Sequence, residues 1–198
     1  MKKIILFFFF IMAAISNAGA QSLMESQQWR DLIDDLQNEN WQEANTKSLT
    51  LLNKMPNPVA DDVTAALLRT MYIHSEAGLM NEGKVTQEQA INAVNGFVGK
   101  LIILPAHTVG SKGNLNTIKM MNQKTDTLYV AETNRMGTDI FAFVHVILND
   151  KWSVEDFKSR DGQFYSLGGY IKTISVEGHI LPRFRIFLER GIYQKYEQ

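Results

Sequence analysis

The chain has no cysteine among its 198 residues. This excludes a disulfide framework, a thiolate nucleophile or metal ligand, and a lipobox cysteine that could carry an acyl anchor. The familiar catalytic signatures are missing as well. There is no G-x-S-x-G, no H-E-x-x-H, no P-loop and no G-x-G-x-x-G. The stretch Gly110-Ser111-Lys112-Gly113 lacks the spacing of a phosphate loop and reads as a solvated turn. A dense basic patch is also lacking. The formal net charge is −1, and nucleic-acid binding ordinarily needs a concentrated positive surface. Past the first twenty residues no apolar run is long enough to span a bilayer. The expectation is therefore a chain with no catalytic role, no cofactor, no nucleic-acid partner and no membrane span.

Positive signals begin at the N-terminus. Lys2 and Lys3 precede an apolar run from Ile4 to Ile15, followed by the small-residue site Ala18-Gly19-Ala20. This is the pattern of a cleavable secretory leader, residues 1–20, cut after Ala20. It predicts a periplasmic or secreted protein, bacterial in style. Without disulfides, the exported chain must be stabilised by its core. The hydrophobic share of 45% is ordinary for a globular protein.

Charge divides the remainder. Residues 21–96 hold 5 Lys and Arg against 11 Asp and Glu, whereas residues 97–198 hold 13 against 10. Periodicity divides it at the same place. Trp29, Leu32, Ile33 and Leu36 form one helical stripe, with Ser26 as a candidate N-cap. Trp41, Ala44, Ser48, Leu51, Leu52 and Met55 form a second, capped by Asn38 or Asn40 and stopped by Pro56 and Pro58. A third helix is predicted from Ala60 to Met80, with Val63, Ala66, Leu67, Thr70, Met71, His74 and Ala77 on one face. A fourth opens on the capping box Thr86-Gln87-Glu88-Gln89, and Phe97, Val98 and Leu101 extend its apolar side.

Beyond Gly99 the pattern changes to strands. Lys100–Leu104 is either a strand or a last helical turn, ended by Pro105. Strands are predicted at Leu115–Asn122 and Thr127–Glu132, joined by a turn at 123–126. Asp139–Leu148, apolar on both faces, reads as a central strand. Ser153-Val154-Glu155-Asp156 is a capping box that should start a short helix. Leu167–Val176 opens on Gly168-Gly169, where a bulge or close backbone approach is expected. Pro182–Glu189 alternates, with Phe184, Ile186 and Leu188 inward and Arg183, Arg185 and Phe187 outward. The fold class is α+β: N-terminal antiparallel helical hairpins, then a small, mostly antiparallel β-barrel or curved sheet with one short helix.

Two family resemblances accompany this reading. Trp29-x-x-Leu32, Trp41-Gln42-Glu43-Ala44 and Pro56 resemble a tetratricopeptide (TPR) unit, within a TPR-like region 21–101 whose resemblance spans residues 26–101. Ile33 stands where that family prefers glycine, and Leu36 where it prefers tyrosine. An unrelated four-helix layer fits the same spacing. The strand order with one late helix is similar to an OB-fold over residues 102–198, an architectural likeness without a diagnostic residue string. The first resemblance implies protein binding; the second implies binding of an oligosaccharide, oligonucleotide or peptide.

The candidate binding residues lie in the second half. Arg183 and Arg185 share one strand face, with Lys172 expected nearby, and such a cluster suits a carboxylate or phosphate. Trp152, Phe164, Tyr165 and Tyr170 cluster in sequence around the late helix. They either form a platform for sugar or peptide or close the end of the barrel. The four histidines, His74, His107, His145 and His179, are scattered and do not pair with one another at helix or strand spacing. His145 is expected in the core, and His107 in a loop from which it could approach His145. Two functions follow: a protein-interaction or scaffold role, and a small-ligand or glycan-binding role centred on the β half.

Overall fold

The computed structural model describes residues 23–55, 61–110, 115–121, 127–134 and 136–196. The leader-like residues 1–20, the prolines Pro56 and Pro58, and the turn at 123–126 lie outside the described residues, as does most of the Gly110–Asn114 loop. The helices are α1 (Gln27–Gln37), α2 (Trp41–Lys54), α3 (Val63–Asn81), α4 (Gln87–Asn95) and α5 (Val154–Ser159). The strands are β1 (Leu101–Thr108), β2 (Lys119–Met120), β3 (Thr127–Thr133), β4 (Ile140–Leu148), β5 (Phe164–Glu177) and β6 (Arg183–Tyr196).

Local sequence accounts for the helix boundaries. Ser26 Oγ accepts from Trp29 N at 3.2 Å and starts α1. Asp62 caps α3 through Ala65 N at 2.8 Å. Both capping boxes form, Thr86 with Gln89 and Ser153 with Asp156. Asn40 precedes α2 but makes no side-chain capping bond, and Asn38 ends α1 instead. Helix α4 stops at Asn95, short of Leu101, because the chain then turns at Gly99, whose φ is +80°.

Helix α3 organises the fold. Sixteen of its 19 residues are buried, so it has no wet face, and a single apolar stripe understates it. Helices α2 and α4 lie against it, and it also packs on β1, β4 and β6. Trp41 of α2 crosses α3 at Gly78 and meets Phe141 of β4 edge to face, with ring centroids 5.1 Å apart. Only glycine permits this crossing, since a Cβ on Gly78 would lie 2.3 Å from the Trp41 ring. One cluster of buried side chains runs from Trp29 and Leu32 through Leu68 and Ile73 to Val144, Ile186 and Leu188.

The six strands form one sheet in the order β1-β5-β6-β4-β3-β2. All pairings are antiparallel except β4 with β6, whose chain direction is restored by the connection through α5 and β5. The sheet is mixed, and its curl brings the two ends of that order together at one point. There Val109, just past β1, bridges Ile118, just before β2. Ile118 N donates to Thr108 O at 2.9 Å, and Gly110 N donates to Ile118 O at 3.1 Å.

Strand boundaries differ from the sequence reading, by three residues at the start of β5, which begins at Phe164 rather than Leu167, and by more at three other places. Pro105 does not end β1, which runs to Thr108; the proline sits on an edge strand at a register shift between Ile103 and Ala106, where its missing N–H is tolerated. The strand expected at Leu115–Asn122 shortens to Lys119–Met120, because Leu115 and Asn116 turn toward the β1 end. Strand β6 continues past Glu189 to Tyr196. Arg190, with φ of +51°, and Gly191 absorb the irregularity. A Cβ on Gly191 would lie 2.6 Å from Ile147 O, so β4 and β6 approach closely there.

The crossing at Gly78 yields a test. Alanine usually strengthens a helix interior relative to glycine by about 1 kcal/mol. Gly78→Ala should nevertheless destabilise this protein by about 1–3 kcal/mol through overpacking against Trp41. Urea denaturation followed by tryptophan fluorescence measures the sign directly.

Candidate functional site

The strand pleat sorts the sheet into two faces with different chemistry. On β3, Leu128, Val130 and Glu132 share one parity, and on β4 the same face carries Ala142, Val144 and Val146. These residues turn toward α3. All are apolar except Glu132, which is 3% exposed.

Two histidines meet that carboxylate. His107 Nε2 lies 2.8 Å from Glu132 Oε1, and His107 Nδ1 lies 2.9 Å from the backbone oxygen of Asn116. His74, on α3, places Nε2 3.5 Å from Glu132 Oε2. Helix α3 is fixed at this spot by its neighbours. Thr70 Oγ1 donates to Ile103 O at 2.9 Å, and the buried Arg69 donates to Leu101 O at 2.9 Å. A small cavity adjoins the group, lined by Thr70, Ile73, His74, Ile102, Leu104, Glu132, Ala142, Val144 and Ile186. About 10 Å³ is open there to the centre of a water molecule, roughly the minimum for one water and far below the ~300 Å³ of a typical ligand pocket.

Hydrogen-bond chemistry assigns the protons. A backbone carbonyl only accepts, so His107 Nδ1 carries hydrogen. An ionised Glu132 also only accepts, so Nε2 carries hydrogen as well. With Glu132 ionised, His107 is an imidazolium paired with a buried carboxylate. The titration directions agree. Burial opposes charge on His107, but Glu132 and the Asn116 carbonyl outweigh it and raise the group above its ordinary 6.5. Burial pushes Glu132 upward, and His107 and His74 together bring it below 4.5. Burial lowers His74, which stays neutral against the attraction of Glu132. Among the described residues, no group of three or more His, Cys, Asp or Glu is arranged to hold a metal ion.

The opposite face of the sheet carries the arginines. Register aligns Tyr129 of β3, His145 of β4 and Phe187 of β6 in one row, with Phe143 and Arg185 in the next. His145 stacks on Phe187 at 4.5 Å and 11°, and Tyr129 leans on His145 at 5.3 Å. Arg183 lies over Phe143 at 4.6 Å, and Arg185 near Phe187 at 5.5 Å. Both guanidiniums reach one carboxylate, Glu177, with Arg183 Nε at 3.2 Å and Arg185 Nη1 at 3.3 Å. Among the described residues His145 Nδ1 and Arg185 Nε are covered from solvent and have no hydrogen-bond partner. Burial and then Arg185 lower the titration of His145.

The five candidate binding residues separate into three places. Arg183 and Arg185 come together as described. Lys172 pairs with Glu189 at 3.7 Å, and Tyr170 lies beneath Arg190 at 3.7 Å, both near the β5–β6 irregularity. Trp152 is 3% exposed and packs edge to face on Tyr165 and Tyr193, with Arg160 over its ring at 4.7 Å. It stands beside α5, apart from the arginines. His107 lies on β1 and meets Glu132 rather than His145. The buried triad was not anticipated. Its signals were a threonine and a histidine one turn apart on the apolar face of α3, and a glutamate on the inward parity of β3.

No family model matches the chain, nor does any curated protein or solved structure.

The triad dictates a pH profile of stability. His107, raised, contributes fully below the unfolded value of 6.5, and its contribution is lost as pH rises through the folded value. Glu132, lowered, contributes above 4.5, and its contribution is lost as pH falls through the folded value. His74, held neutral, acts on the acid side too, because the unfolded chain takes up its proton first below 6.5. Denaturant midpoints should therefore fall toward both ends of the range. His74→Asn should flatten part of the acid side and leave the alkaline side unchanged. His107→Ala should cost about 3–5 kcal/mol near neutrality, because it strands a buried carboxylate; a loss under 1 kcal/mol would contradict the pairing.

Proposed function

We propose that the chain is an exported, non-catalytic binding protein that engages an acidic protein partner through the sheet face opposite its helices. The observation that carries this reading is the ring cluster of Tyr129, Phe143, His145 and Phe187 beside Arg183 and Arg185. Aromatic residues and arginine are the types enriched at the centres of protein interfaces. Two guanidiniums share the single carboxylate of Glu177, which leaves a positive surplus suited to an acidic occupant. The covered Arg185 Nε without a partner adds an unmet donor at the same place. Tyr129, Phe143 and Phe187 are half-buried, so their rings remain accessible.

Other features favour this face over the alternatives. Helix α3 is buried on nearly all sides, which leaves it no free face for a groove between helices α1 and α3. The space beside Glu132 is on the scale of one water. Export follows from the leader-like residues 1–20, and both the TPR-like and the OB-like resemblance imply a binding module. A small carboxylated ligand or acidic glycan on the same arginines is the second reading, favoured by two guanidiniums set beside aromatic rings and sharing one carboxylate.

Arg183→Ala with Arg185→Ala tests the proposal. Their ion pairs are partly exposed, so stability should change by about 1 kcal/mol or less. Capture of an acidic protein from an envelope extract should be lost in the double variant and retained in Lys172→Ala. Equal capture by wild type and double variant would contradict the assignment. Arginine-dependent binding of a carboxylated glycan, without protein capture, would establish the second reading.

A further inference from the structure

The buried imidazolium lies where the sheet's two ends meet. Strands β1 and β2 are at opposite ends of the strand order. The described backbone pairing that joins those ends is the single bridge of Val109 and Ile118. His107 sits two residues before that bridge. Its Nδ1 reaches Asn116 O, two residues before Ile118, and its Nε2 reaches Glu132 on β3. One side chain therefore fastens β1 to both partners across the seam, and it does so with two donors.

We propose that the proton shared by His107 and Glu132 is the clasp of this seam, so that the sheet closes or loosens as that proton is bound or lost. The argument is one of hydrogen-bond inventory. A neutral imidazole has one N–H. If it stays on Nδ1, the Nε2 lone pair faces the Glu132 carboxylate at the 2.8 Å contact. If it moves to Nε2, the Nδ1 lone pair faces the Asn116 carbonyl at the 2.9 Å contact. The first mismatch falls at the buried Glu132, where it costs far more than in solvent, and the second falls at the exposed Asn116 contact, where the two acceptors part. The relief is separation, and the elements that separate are β1 and the segment leading into β2.

Nothing else around the group replaces the lost proton. From α3, His74 faces Glu132 Oε2 at 3.5 Å and is kept neutral by burial. Arg69, also on α3, is engaged with Leu101 O. From β4 the neighbours are Ala142 and Val144, which cannot titrate, and from β5 the register partner of His107 is Tyr165, whose hydroxyl donates to Gln163 Oε1 at 3.3 Å. The charges that perturb His107 and Glu132 are those of the triad itself. The clasp is thus a one-proton device. Its release frees the edge groups Thr108 O, Ile118 N, Ile118 O and Gly110 N, which pair with each other across the seam. For an exported chain this links the exposure of an unpaired strand edge to external pH.

Native-state amide exchange across pH tests the clasp. All amides share the intrinsic base-catalysed acceleration, so protection factors are the readout. Protection at Ile118 and Gly110 should fall by up to about tenfold per pH unit between the ordinary imidazole value of 6.5 and the raised value at which His107 releases its proton in the closed seam, and should level off above it. Protection at Gly99 and Ile171, which bond at the other end of β1, should stay level over the same range. In Glu132→Gln the side-chain amide can donate to a neutral Nε2, and the seam should lose its extra pH dependence. Parallel behaviour of the seam and the reference amides in wild type would overturn the proposal. So would an unchanged seam slope in a folded Glu132→Gln variant. If that variant does not fold, the wild-type comparison alone decides.

Discussion

Helix α3 carries Arg69, Thr70 and His74 among apolar residues and is buried along sixteen of its 19 positions. A helix without a wet face must be enclosed, and its polar side chains must find partners inside the enclosure. The rest of the architecture encloses the helix and supplies partners to Arg69, Thr70 and His74. Helices α2 and α4 cover one side, and the curled sheet covers another. Strand β1 satisfies Arg69 through Leu101 O and Thr70 through Ile103 O. Strand β3 supplies Glu132 to His74 and His107. The enclosure is complete only when the ends of the sheet meet, so the closing contact and the buried charge are one structural problem.

Much of the frame was legible in the sequence because its signals are local. Ser26, Thr86 and Ser153 are capping residues whose bonds span three positions. Gly168 and Gly169 mark a close approach; a Cβ on either would lie about 3 Å from a backbone oxygen of a neighbouring strand. The alternation of Phe184, Ile186 and Leu188 sets the inward parity of β6. What failed was non-local. Pro105 looks like a terminator, but whether a strand survives a proline depends on its being at an edge. Leu115–Ile118 has strand-like composition, yet the chain bends there to reach Val109. The inward parity of Glu132 was available from Leu128 and Val130, but its meaning required His107 from a strand four places away in the sheet order.

The Arg183–Arg185 pair was legible through the same alternation. The ring partners of those arginines were not, since Tyr129, Phe143 and Phe187 come from three strands and are aligned only by register. The late-helix aromatics illustrate the converse. Neighbours in sequence, Trp152 and Tyr165 do pack together, but Tyr193 completes that cluster and Tyr170 belongs elsewhere. One strand links the two chemistries of the sheet. On β3, Tyr129 faces outward among aromatics while Glu132 faces inward to the histidines, so the aromatic–arginine face and the seam share one strand.

The central claim is that a charged imidazole is held in the interior to close the sheet. The most direct measurement is the nitrogen-15 and proton NMR signature of the His107 ring at neutral pH. The account predicts both ring nitrogens protonated, slow exchange of both N–H protons, and scalar or dipolar contact from Nε2–H to the Glu132 side chain. A neutral ring with a single N–H, exchanging at the rate of an exposed histidine, would contradict it.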